Sequence, residues 1–201
     1  MIDPNAHDRF VLRQRIRLAI NQYEFALPES EGTAFCFVEQ KRFKFKEDIG
    51  FFADSSKSQM LLRIKARQRF DPRAKYDITT ADGTPIGQIS KVFGASLFRS
   101  TYALHDVHGV EICRAAERSL AVALFRRLVG AVPYVGGFAE WLPIPYHFDF
   151  TRNDQVLATN TRRRMKLRDT YDIDASPDTG RLLDRRLLLA AVVGMDALQA
   201  R

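Results

Sequence analysis

The last stretch of this chain constrains its fold more than any other. From Leu187 to Leu198 the residues read Leu-Leu-Leu-Ala-Ala-Val-Val-Gly-Met-Asp-Ala-Leu, apolar almost all the way round a helix. A helix without a polar face must be buried in protein or in lipid. A bilayer span needs about 20 such residues, and this run is shorter, so the helix is predicted to lie inside protein. Asp184 suits the positive end of its dipole. The spacing places the helix over about 182–199, with Ala190, Ala191, Gly194 and Ala197 keeping it slim.

The residues that could enclose it are written upstream in period two, the signature of half-buried strands. Phe10, Leu12, Ile16 and Leu18 alternate with Arg13, Arg15 and Arg17. Asn21 and Gln22 read as a turn, after which Tyr23, Phe25 and Leu27 open the next strand. Ala34 to Val38 is apolar on both faces. Phe43 and Phe45 alternate with Arg42, Lys44 and Lys46. Leu62, Ile64 and Ala66 alternate with Arg63, Lys65, Arg67 and Arg69. A weak repeat follows, Tyr-x-apolar, a turn, then a second short strand. It occurs at Tyr76/Ile78 before Asp82-Gly83, Tyr102/Leu104 before His108-Gly109, Tyr146/Phe148 before Asn153-Asp154, and Tyr171/Ile173 before the Pro177–Gly180 turn. Asp-Gly between alternating runs marks a tight hairpin. The predicted class is therefore all-β: one domain over 1–201, a closed antiparallel barrel around its own C-terminal helix. Residues 119–145 break the pattern, with Leu120, Leu124 and Leu128 at helical spacing and then a Pro- and Gly-bearing loop. They read as a helix-and-loop insertion.

Three runs also resemble a known family. They are Gln40-Lys41-Arg42-Phe43-Lys44-Phe45-Lys46-Glu47, the stretch from Tyr76-Asp77-Ile78 to Asp82-Gly83, and the ending from Asp184-Arg185-Arg186-Leu187 to Asp196-Ala197-Leu198. In this order they resemble the tubby C-terminal-like superfamily, in its LURP-one-related and phospholipid-scramblase-like branch, across Arg9 to Arg201. The resemblance implies a closed barrel of about twelve antiparallel strands around a central helix. It also implies contact with membranes, since tubby domains bind phosphoinositide headgroups through basic residues. The Pro-rich N-terminal region and clustered cysteines of animal scramblases have no counterpart in these residues.

For function, the net charge of +7 favours anionic partners. The basic rows are the sharpest candidates. Arg42, Lys44 and Lys46, and Arg63, Lys65, Arg67 and Arg69, are expected on outward strand faces, with the two strands as candidate neighbours. Like charges facing one another would be costly, unless an anionic headgroup or phosphate neutralises them. The other reading is a solvated exterior with Glu24, Glu39 and Glu47 as partners. Arg162, Arg163, Arg164, Lys166 and Arg168 form a further cluster. In the insertion, Phe125, Tyr134, Phe138 and Trp141 suit a membrane or partner contact, or burial as a plug or homodimer face.

No nucleophile elbow, phosphate loop or zinc-protease helix is present, so a non-enzymatic module without cofactor is expected. His105 and His108 flank a turn but lack a third ligand at metal spacing. Asp172, Asp174 and Asp178 break the calcium-loop pattern and read as turn and cap. Cys36 and Cys113, in strand-like runs, read as buried reduced thiols. Met1 to Asp8 lacks a charged-then-apolar signal pattern, which predicts no secretion and a cytoplasmic protein; peripheral contact with the inner face of the membrane is what the basic rows and the resemblance imply. The expected partner is an anionic phospholipid or a phosphorylated small molecule. A homodimer through 119–145 is the alternative, and nucleic acid is disfavoured because the aromatics alternate away from the basic rows.

Overall fold

The C-terminal helix forms as the pattern predicts, and a closed sheet surrounds it. The computed structural model describes residues 2–16, 20–41, 48–67, 75–92, 100–118, 147–163 and 169–199. Among these, twelve strands form one antiparallel barrel, each paired with its neighbours in sequence. They are β1 (Arg9–Ile16), β2 (Ile20–Ala26), β3 (Ala34–Lys41), β4 (Asp48–Phe52), β5 (Met60–Ala66) and β6 (Lys75–Thr80). The second half comprises β7 (Pro85–Lys91), β8 (Thr101–His105), β9 (Glu111–Glu117), β10 (His147–Arg152), β11 (Gln155–Arg162) and β12 (Asp169–Asp174). The barrel shuts where β1 pairs β12, with Phe10 opposite Ile173 and Leu12 opposite Tyr171. Closure leaves no edge strand to template aggregation.

The helix α1 (Arg185–Gln199) occupies the lumen. Leu187 to Met195 are all buried. One side of α1 meets β5 and β7: a Cβ on Gly194 would lie 3.3 Å from Ile89 Cδ1 and 3.6 Å from Ile64 Cδ1. On the other side Val192 and Met195 share a small gap with Leu12, Tyr23, Phe148 and Tyr171, from β1, β2, β10 and β12. Strand walls thus stand on opposite sides of the helix. Gly87 on β7 marks the closest approach, since a Cβ there would sit 2.5 Å from the His105 carbonyl oxygen and 3.0 Å from Leu187 Cδ2. Gly87→Ala should therefore cost about 1–3 kcal/mol by overpacking, read as a lower denaturation midpoint. An unchanged midpoint would contradict so close a fit.

Hairpin turns fall at the expected dipeptides. Gly83 and Gly109 have φ of +90° and +81°, and Asn153 and Asp154 have 49° and 64°, the left-handed region such turns require. The fourth repeat differs, because after Pro177–Gly180 the chain enters α1 rather than another strand. Asn21 and Gln22 also differ from expectation: they lie within β2, not in a turn. Asn21 is 3% exposed and its Nδ2 donates to Gln40 Oε1 at 3.3 Å. The barrel interior is polar there, so an inward Asn does not mark a chain reversal.

Odd-numbered strands run towards one rim and even-numbered strands return from it. At the opposite rim α1 enters the barrel and is anchored by charge. Arg185, 1% exposed, donates to Asp178 Oδ2 at 2.7 Å and to Asp8 Oδ1 at 2.8 Å. Asp184 caps the helix by accepting the Arg186 N–H at 2.8 Å. Asp174 accepts from Ser176 and Asp178 from the Leu182 and Leu183 N–H groups. Asp174 and Asp178 thus have the expected turn and cap roles.

Candidate functional site

The basic row of β5 is placed outward, as its alternation requires: Leu62 and Ile64 are buried in the core, while Lys65 is exposed. Its described neighbours are β4 and β6; residues 42–46, the expected neighbour, lie outside the described residues. Strands β4 and β6 present Asp48 and Asp77, each opposite Lys65 in register. Arg63 Nε donates to Asp48 Oδ1 at 2.7 Å, and Arg67 Nε to the Asp77 carboxylate at 2.8 and 2.9 Å. Arg63 and Arg67 are thus balanced by the protein's own carboxylates, and the feared like-charge ladder does not arise along the described length. Of the expected acidic partners, Glu24 meets Arg13 at 3.5 Å and Glu39 meets Lys57 at 2.7 Å. Arg163 bridges Asp172 and Glu31. Arg42, Lys44, Lys46, Arg69, Phe125, Tyr134, Phe138 and Trp141 lie outside the described residues, as do the rest of 119–145 and Arg164, Lys166 and Arg168.

What the fold brings together instead is a basic concavity on the outer wall of β5 to β8. It has a volume of about 500 Å³ and is lined by Arg67, Lys75, Lys91, Gln88, Ser90 and His105, with the 107–109 turn at one side. Register builds it: Lys75 stands opposite Ser90, Asp77 opposite Gln88, and Gln88 opposite His105. No carboxylate is among the described lining residues. Asp77 is engaged by Arg67, and Asp106 accepts the His108 and Val110 N–H groups at 2.9 and 2.8 Å.

His105 is held below its ordinary pKa, chiefly because burial disfavours its charge. Lys75 pushes the same way, while Glu111 and Asp106 oppose it. Its Nδ1 is buried without a hydrogen-bond partner among the described residues. A neutral imidazole carries one donor and one acceptor nitrogen. The arrangement can hold an anion by charge-assisted hydrogen bonds, and it offers no nucleophile paired with a base.

Sequence reasoning proposed only Arg67 of this group as an anion-binding residue. His105 and His108 were noticed for their turn and set aside as metal ligands. Among the described residues no group of three His, Cys, Asp or Glu could hold a metal ion. Both cysteines are free and buried, and burial is the main reason each thiol is pushed up to about 12. No helix of the described residues is long and apolar enough to cross a membrane.

These features define a closed antiparallel barrel, threaded by its own C-terminal helix, with a basic concavity on its wall. The chain belongs to the LURP-one-related family, whose family model matches residues 35–196. The match runs from β3 into α1 and takes in every residue lining the concavity. No curated protein and no solved structure matches the chain.

Proposed function

We propose that this protein is a non-enzymatic binding module, and that it holds a phosphate-bearing anion, the headgroup of an anionic phospholipid, in the concavity between β5 and β8. One observation carries the reading: Lys75 and Lys91 line a cleft with His105 and the Asp77-paired Arg67, and its described lining includes no carboxylate. The wider resemblance to tubby-like and scramblase-like proteins agrees with a lipid ligand.

The distribution of charge along the chain supports a membrane as the source of that headgroup. Segments 17–19, 42–47, 68–74, 93–99, 119–146 and 164–168 join strands at the rim towards which α1 runs. Their sequences hold twelve Lys or Arg against three acidic residues. The segments joining strands at the opposite rim hold one basic residue against six acidic ones, and the 175–184 connection from β12 to α1 adds one basic and two acidic. Arg42, Lys44, Lys46 and Arg69 belong to the basic set, as do Phe125, Tyr134, Phe138 and Trp141. We assign them to membrane contact. Arg67 directly follows β5, and Lys75 and Lys91 are the residues of β6 and β7 nearest that rim. The protein is then a peripheral one that presents its basic rim to an anionic leaflet.

Co-sedimentation with phosphatidylserine-containing and pure phosphatidylcholine vesicles tests this. Binding is expected only to the anionic vesicles and should weaken from low to high salt, as screening predicts. Each Lys near an anionic surface is worth about 1 kcal/mol, so Lys75→Glu with Lys91→Glu should weaken binding at least about tenfold. Equal, negligible binding to both vesicles at low salt would remove the proposal. Titration with inorganic phosphate separates a free anion from a headgroup: saturation without vesicle binding would replace the lipid by a soluble phosphorylated ligand.

A further inference from the structure

A second cavity lies at the opposite rim, where α1 enters the barrel. We infer that it is a separate binding site for an apolar molecule carrying an amine, an occupant opposite in charge to the ligand proposed above. The cavity has a volume of about 570 Å³, inside the roughly 300–1,000 Å³ range of small-molecule sites. It opens between β3, β4, β5 and the 80–84 turn on one side and the first turns of α1 on the other. Phe35, Phe51, Met60, Leu62 and Leu189 form its apolar wall, with Cys36 beside them. The Cys36 thiol is pushed up to about 12, burial being the main cause. It therefore stays protonated and serves as apolar surface rather than as a nucleophile.

The mouth decides the kind of ligand. Asp3, Gln59 and Asp82 line it. Hydrogen bonds from the Thr80 hydroxyl and from the Thr84 N–H and hydroxyl hold Asp82 below the usual carboxylate range, so it stays charged at neutral pH. Among the described lining residues the one cation is Arg186; its Nε donates to Asp184 at 3.1 Å and its guanidinium Nη2 at 2.6 Å, and its charge also acts on Asp3. An apolar chain with a carboxylate or phosphate head would face two carboxylates and no free cation. An alkyl amine would bury its chain against the aromatic wall and set its ammonium against Asp82. Charge complementarity of this kind sets specificity as well as affinity. The two cavities share no lining residue, so this inference stands or falls apart from the headgroup proposal.

Isothermal titration with decylamine, decanol and decanoate, each below its micelle concentration, tests it with one chain and three heads. Saturable one-to-one binding of decylamine is expected, at least about fivefold tighter than decanol, with decanoate weakest. Asp82→Asn should bring decylamine and decanol to within about twofold of each other. Met60→Trp should fill the cavity and remove binding of all three, and Thr84→Trp, on the exposed turn, should block the mouth if the first variant does not fold. Absence of saturable binding would overturn the proposal. So would decanol or decanoate binding as tightly as decylamine, or folded Met60→Trp or Thr84→Trp proteins binding decylamine like the wild type.

Discussion

Val193→Asp is expected to abolish cooperative folding of this barrel, read as loss of a sigmoidal thermal or urea transition. Val193 is 0% exposed, at the middle of a helix with strands on opposite sides. A carboxylate there would meet apolar side chains, and burying an unpaired charge costs several kcal/mol even after its pKa shifts. Native domains hold only about 5–15 kcal/mol of net stability, so this one change removes a large share of it. Gly194→Leu tests the same geometry without charge. Its Cβ alone would press to 3.3 Å from Ile89 Cδ1, and three further carbons have no gap to enter. Overpacking of a well-filled core costs about 1–3 kcal/mol, and a closed barrel cannot splay an edge to relieve it. Wild-type melting in both variants would refute the threaded helix.

The helix was legible because its signal is redundant: no residue from Leu187 to Met195 offers a polar face, and its length rules out a helical span of a bilayer. The strands were legible for a related reason. Tyr76/Ile78, Tyr102/Leu104 and Tyr171/Ile173 point inward to the buried core, and their turns carry residues that tolerate positive φ. Legibility failed where the barrel's own inside is polar. Asn21 and Gln40 pair within the lumen, and a reading that equates Asn-Gln with a turn misplaces the end of β1. It failed again at Leu182 and Leu183, which precede α1 because their N–H groups are taken by Asp178.

The candidate site was less legible than the fold because it depends on register across four strands. Arg67 is visible as part of an alternating row, whereas Lys75 and Lys91 stand at strand ends and belong to no row. Counting outward from Asp82-Gly83 should have placed Lys75 against its partner. A bulge between Ile78 and Thr79 shifts that pairing by one residue, and a one-residue slip turns every side chain to the other face. The carboxylates that balance Arg63 and Arg67 escaped notice for the same reason. Asp48 and Asp77 are isolated acids in sequence, and strand pairing alone sets them beside the basic row.

Arg185→Met should be the other severe substitution, costing about 3–5 kcal/mol. Arg185 is the largest fully buried side chain described, and its guanidinium gathers Asp178, Asp8 and the carbonyls of Leu183 and Ala175. Removing it leaves the Asp178 carboxylate, 3% exposed, with its two backbone donors but no countercharge. Adding Asp178→Asn to Arg185→Met should restore part of the loss, because the stranded charge is then gone. Burial alone would raise the Asp178 pKa. The Leu183 N–H, the Arg185 guanidinium and the Leu182 N–H outweigh it, leaving the group below its ordinary 3.8. A carboxylate depressed on folding adds stability that is fully present above its unfolded pKa and is lost as pH falls through the lower, folded value. The wild type should therefore lose stability steeply below about pH 4, and Asp178→Asn, weaker at pH 7, should show a shallower acid limb. Parallel acid limbs in urea midpoints from pH 7 to pH 2 would show that Asp178 is not the group that ties the helix to the rim. That outcome would shift the anchoring role to Asp8, the other carboxylate on Arg185, and predict that Asp8→Asn lowers the urea midpoint at pH 7 more than Asp178→Asn does.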